Sequence, residues 1–185
     1  MKKNRIIVAA ISVVIMLSAS LAVLNCGSDT ASQPQNTTSQ VLPVADNPIK
    51  NIAAAPGLVI VTAQVEDNVD PETNKAIADR LQLSLKNNSN QTMSDFEIFY
   101  RMTDSKTGAS EGYYEKLVGL SLNPNETKTI FFDNQSSANH YPENKYSLYR
   151  TSKNEVLFTI ELSTSGFKTA SSKAVKAPGT SEQQD

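Results

Sequence analysis

The 185-residue chain has no tryptophan, one cysteine, one histidine and seven glycines. One cysteine cannot form an internal disulfide, and it excludes a cysteine-built structural zinc site. One histidine excludes paired-histidine metal motifs. So few glycines leave no glycine-rich phosphate loop. Charge is also sparse and nearly balanced, with 17 Lys and Arg against 19 Asp and Glu, a net −2. That balance supplies no basic surface for a phosphate backbone, so no nucleic-acid partner is expected. With 39% hydrophobic residues the chain has enough apolar material for a folded core, and its length suits one domain with appendages.

Hydrophobicity is concentrated at the N-terminus. Lys2, Lys3 and Arg5 precede an uncharged run from Ile6 to Leu24. A positive start, an apolar run and small residues such as Ser18-Ala19-Ser20 form the pattern of an export signal. Nineteen residues are also nearly enough to span a bilayer, for which about 20 are needed. An uncleaved anchor and a soluble secreted chain are therefore the competing outcomes.

Cys26 follows this run directly, in Leu21-Ala22-Val23-Leu24-Asn25-Cys26-Gly27-Ser28. The stretch resembles the lipobox of bacterial lipoproteins, in which cleavage leaves a lipidated N-terminal cysteine. Val23 stands where leucine is usual, and Asn25 where a small residue is usual. The resemblance implies a signal peptide over 1–25, lipidation at Cys26 and an exported, membrane-anchored protein facing a periplasm or the cell exterior. Removing Lys2, Lys3 and Arg5 takes the net charge from −2 to −5. A chain of that sign is not drawn to an anionic bilayer, so lipid or the apolar helix must do the holding.

Residues 26–50 are dominated by Ser, Thr, Gln, Asn and Pro and read as the lipidated cysteine and a polar tether. About twenty such residues span roughly 25 Å as a flexible coil. Residues 169–185 read as a polar tail.

Between them, over 51–168, the apolar period is two. Seven strands are expected, at Leu58–Glu66, Arg80–Asn88, Ser94–Thr103, Tyr113–Ser121, Thr127–Asp133, Lys145–Thr151 and Glu155–Ser163. Phe96, Ile98, Tyr100 and Met102 share one face, as do Val156, Phe158, Ile160 and Leu162. Val59, Val61, Ala63 and Val65 are expected to share another, and Tyr146 a face with Leu148. Turn-rich breaks such as Asn87-Asn88-Ser89-Asn90 and Asn123-Pro124-Asn125-Glu126 separate the strands. Seven short alternating strands with regular turns are the pattern of an all-β sandwich.

The strand pattern, Leu83-Ser84-Leu85-Lys86-Asn87-Asn88-Ser89 leading into Phe96-Glu97-Ile98-Phe99-Tyr100, and Leu122-Asn123-Pro124-Asn125-Glu126-Thr127 together resemble bacterial immunoglobulin-like domains on exported lipoproteins. The resemblance implies an antiparallel immunoglobulin-like sandwich of about seven strands. The cysteine pair and tryptophan of antibody domains are missing, so apolar packing alone holds such a core.

No catalytic site is expected. His140 lies in a polar loop, where a solvated or locally bonded histidine is the ordinary case. Glu111, Glu115, Asp104 and Asp95 could serve as acid and base, but their spacing pairs none of them. Asp67, Asn68, Asp70 and Glu72 supply the hard oxygen ligands that calcium takes, without EF-hand spacing. Calcium is the one cofactor with a candidate site, and a solvated acidic loop is its plain alternative. Tyr113 and Tyr114 must face opposite ways on a strand, leaving one exposed. Tyr114, His140 and Tyr141 are the candidate contact residues. Five Asn-x-Ser/Thr sequons, at Asn36, Asn87, Asn90, Asn125 and Asn134, reflect composition. The resulting expectation is a non-enzymatic module, anchored through lipid at Cys26, that binds a protein or cell-envelope partner. Its alternative is a calcium- or small-ligand-binding lipoprotein using the acidic loop 66–79.

Overall fold

The computed structural model describes residues 41–66, 72–73 and 80–179. Among them eight strands and one helical turn follow in order: β1 Leu58–Glu66, β2 Arg80–Asn87, β3 Glu97–Asp104, β4 Ser110–Lys116, β5 Thr127–Phe132, β6 His140–Tyr141, α1 Leu148–Thr151, β7 Val156–Thr164 and β8 Phe167–Lys176. They form two four-stranded sheets, β1-β2-β5-β6 and β4-β3-β7-β8. All neighbours pair antiparallel except β5 and β6. The fold is the expected all-β sandwich.

Alternation builds the core. Leu81, Leu83 and Leu85 of β2 face Ile98, Tyr100 and Met102 of β3 and Val156, Phe158, Ile160 and Leu162 of β7 across the interior, all buried. Tyr100 stacks on Tyr113 of β4 with ring centroids 5.5 Å apart and meets Phe132 of β5 edge-on at 5.7 Å. These three rings tie the sheets together, and such offset and edge-on contacts are the favoured aromatic geometries.

Strand β1 departs from simple alternation. Val59 and Val61 are exposed, while Leu58 is buried and Ala63 and Val65 pack on the core. The β1–β2 register shifts between Ile60 and Thr62. The extra residue of a bulge moves the inward set from even to odd positions, because the side-chain period is two. Lys145–Thr151, expected as a strand, instead contains α1, with Tyr149 and Arg150 buried and Tyr146 exposed.

Two segments outside the expected strands are built into the sandwich. β8 occupies part of the stretch that reads as a tail. It is an edge strand that exposes Lys168 and Lys173, charges that discourage edge pairing. Residues 41–57, partly within the stretch that reads as a tether, form a strap across the outer face of the β4-β3-β7-β8 sheet. The Val44 amide donates to the Gly112 carbonyl at 2.7 Å, Arg101 Nη2 to the Ala45 carbonyl at 2.9 Å and Asn47 Nδ2 to Glu161 Oε2 at 2.8 Å. The strap ends where the Lys168 amide donates to the Ala55 carbonyl at 2.7 Å.

Candidate functional site

Four elements converge at one end of the sandwich: the start of β3, the β4–β5 loop, the β7–β8 hairpin and the strap. They enclose an open groove of about 830 Å3. Phe96, Leu117 and Leu120 supply buried apolar lining, while Lys50, Asp95 and Lys116 stand exposed around it. The local backbone is fixed by specific bonds. Asn51 Nδ2 donates to Ser163 Oγ at 2.9 Å and to the Thr164 and Phe167 carbonyls at 3.2 and 2.7 Å. Thr164 Oγ1 donates to the Ser94 carbonyl. Asp95 holds a φ of 55°, a left-handed conformation that Asp tolerates better than most residues, and accepts from Ser94 Oγ at 3.0 Å.

Lys116 lies opposite Glu97 in the β3–β4 register. Opposite charges in that position ordinarily attract. Here Glu97 Oε2 instead accepts the Tyr114 hydroxyl at 2.8 Å. Among the described residues no ion pair engages Lys50, Lys116, Asp95 or Glu97. Sequence reasoning missed this groove because its lining is drawn from residues 48 to 166, with no motif to connect them.

A second polar cluster lies inside the sandwich, between β4 and the segment from β6 to α1. Glu111 and Tyr113 share the inner face of β4 with Glu115. Glu111 Oε2 accepts the Tyr113 hydroxyl at 2.8 Å and the Leu148 amide at 3.0 Å. Arg150 Nε donates to Glu143 Oε1 at 3.1 Å, and Nη2 donates to the same oxygen. Glu115 Oε1 is buried with no hydrogen-bond partner. Burial, and next the negative charge of Glu143, push the Glu115 carboxyl up to about 8. Tyr100 and Tyr113 are also raised, chiefly by burial.

The structure separates the candidate contact residues. Tyr141 is buried against Phe132, with centroids 5.8 Å apart, so its ring serves the core rather than a partner. His140 stacks on Phe131 at 4.7 Å, and its Nδ1 lies 2.9 Å from both carboxylate oxygens of Asp133. Tyr114 faces outward, and burial, then the Glu97 hydrogen bond, raise its hydroxyl to about 12. Tyr113 and Tyr114 thus divide between interior and exterior as strand geometry requires.

Asp67, Asn68 and Asp70 lie outside the described residues, as does Cys26, and Glu72 sits in an exposed turn. Among the described residues no three His, Cys, Asp or Glu side chains gather as a metal site. None of their helices is long and apolar enough to cross a membrane. Asn87 is fully buried and gives its amide to the Gln91, Leu122 and Asn123 carbonyls, so this sequon is structural.

No family model and no curated protein matches the chain. One similar solved structure is the Pseudomonas fluorescens alkylpurine DNA glycosylase AlkC bound to DNA containing an abasic site analog. It is 14% identical with a TM-score of 0.35, covering 64% of this chain and 30% of that chain. The match corrects two expectations, since this neighbour is an enzyme holding DNA. The non-enzymatic envelope-binding module, with its acidic-loop alternative, and the exclusion of nucleic acid are withdrawn. At that TM-score the likeness passes no activity or ligand to this chain.

Proposed function

We propose that the chain is an exported bacterial lipoprotein with an immunoglobulin-like sandwich, held to a membrane by lipid on Cys26, which captures a small polar molecule in its end groove. The groove carries the reading. Its volume of about 830 Å3 lies within the range of roughly 300–1,000 Å3 usual for small-molecule sites. It joins an apolar floor to charged and hydroxyl-bearing walls on a hydrogen-bonded frame, the composition of a binding pocket rather than of a bare strand end.

Strand order supports the immunoglobulin-like assignment. β2 lies between β1 and β5, and β3 between β4 and β7, so consecutive strands pass between sheets as in Greek-key sandwiches. The positive start, the apolar run and the position of Cys26 support export and lipidation.

Two measurements test the proposal. Protein from the membrane fraction should show an intact mass of an acylated chain beginning at Cys26, absent from Cys26→Ser. A chain still beginning at Met1 would overturn the lipid anchor. Amide NMR shifts of the detergent-solubilised chain should then be followed during titration with amino acids, short peptides, sugars and nucleotides. A ligand should move Asp95, Glu97, Lys116–Ser121 and Ser163–Gly166 in a saturable way. If none of these compounds moves those amides, the groove is not the site.

A further inference from the structure

Resting on the groove reading above, we infer that the groove takes a zwitterion, specifically a short peptide with free amino and carboxylate ends.

The argument begins with charge left uncompensated. Lys50 and Lys116 bring two ammonium groups to the groove, and Asp95 and Glu97 bring two carboxylates. Among the described residues none of the four is in an ion pair, although Glu97 and Lys116 are register partners. The Tyr114 hydroxyl occupies Glu97 Oε2 and draws that carboxylate into a hydrogen bond of its own. Lys116 remains available to an incoming anion, and Asp95 to an incoming cation.

Other ligand chemistries fit less well. A neutral sugar would bury four charged groups partly and compensate none of them, which is costly. A phosphate would gain from the two lysines but meet two carboxylates. A free peptide presents an ammonium and a carboxylate at separate ends, and each has a complementary partner. Its side chains can pack against Val118, the exposed apolar residue of the lining, removing apolar surface from water. The frame is already set: Asn51 pins the β7–β8 hairpin through Ser163, Thr164 and Phe167, and Thr164 pins Ser94 beside Asp95. A frame organised before binding lowers the ordering cost of capture.

Trialanine, N-acetyl-trialanine and trialanine amide, titrated into the detergent-solubilised full chain by calorimetry and amide NMR, test this. Trialanine should bind and move the groove amides. Blocking either end should weaken binding by about tenfold or more, the loss of one charge-assisted contact. Asp95→Asn should reproduce the effect of acetylation and be insensitive to it, and Lys116→Met should do the same for the amide. Equal binding of all three peptides would overturn the inference. So would failure of trialanine while a neutral or phosphorylated compound moves the same amides, an outcome that leaves the groove reading standing. If no compound moves them, both readings fall together.

Discussion

Glu115 and Glu143 share the seam between β4 and the β6–α1 segment, and they are treated differently there. Glu143 accepts two donors from Arg150, whereas Glu115 Oε1 has no hydrogen-bond partner. Burial, and then the negative charge of Glu143, raise the Glu115 carboxyl to about 8, which favours the neutral acid at neutral pH. The two residues therefore divide the work: Glu143 holds the charge and Glu115 holds the proton.

This division makes stability fall with rising pH. Glu115 titrates near 8 when folded, against an ordinary 4.5. Between these values the folded chain binds a proton that the unfolded chain has released, so unfolding becomes easier as pH rises. The stabilising contribution is complete below about 4.5 and gone above about 8. Glu115→Gln keeps a neutral side chain of similar shape throughout. Urea denaturation should show the wild type losing a few kcal/mol relative to the variant between pH 4 and 8.5. The slope is the readout, since the buried amide brings a constant cost of its own. Parallel curves would show that Glu115 is ionised at neutral pH.

Arg150 supports the same seam from α1. Its side chain is buried, its guanidinium lies 5.0 Å from the Tyr149 ring centre, and it donates twice to Glu143. Removing one partner of a buried ion pair costs about 3–5 kcal/mol. Arg150→Met should lower unfolding free energy by that amount at pH 7. The double variant Arg150→Met, Glu143→Gln should recover part of the loss, because the buried carboxylate that Arg150 compensates has gone. No recovery would mean that packing, rather than charge, is what Arg150 supplies.

At the opposite end of β3, Asp104 organises two loops. Ser152 Oγ donates to it at 2.6 Å, Asn154 Nδ2 at 2.9 Å, and the Lys106 and Thr107 amides at 3.0 and 2.8 Å. These donors, the Ser152 hydroxyl foremost, hold its carboxyl well below the usual carboxylate range. A depressed acid stabilises the fold above its ordinary value of 3.8 and loses that contribution as pH falls below it. Asp104→Asn should melt at a lower temperature at pH 7, with the difference shrinking only as pH falls below 3.8. A gap that stays constant with pH would remove the charge from this account.

Legibility in the sequence followed burial. Leu81 to Leu85, Phe96 to Met102 and Val156 to Leu162 alternate between core and exterior, and their inward faces were readable directly. β8 was not, because an edge strand has little to bury: Phe167, Ala174 and Lys176 alone are buried along it. The bulge in β1 was hidden because a register shift leaves no mark in the run Leu58-Val59-Ile60-Val61-Thr62. Lys145–Thr151 was misread because Arg150 turns inward to meet Glu143, a contact fixed by tertiary structure rather than by local pattern. The groove was invisible for the same reason, since Asp95, Lys116 and Ser163 become neighbours only when β4, β3 and β7 pair side by side.

The strap gives the most local test of how the outer sheet face is covered. Gly112 on β4 has no room for a side chain: a Cβ there would lie 2.9 Å from the Val44 carbonyl oxygen and 3.0 Å from the Phe99 ring. The first of these is backbone, and the Val44 amide is itself bonded to the Gly112 carbonyl. Neither partner can turn away without breaking that bond, so Gly112→Ala must lift the strap at Val44. The core behind β4 keeps its packing, because Tyr113 and Glu111 face the other way. Hydrogen exchange should accelerate at the Val44 amide in the variant while the Leu83, Tyr100 and Ile160 amides keep their protection. Global loss of protection would show that the strap is needed for the sandwich to fold, and unchanged exchange at Val44 would show that it adjusts without detaching.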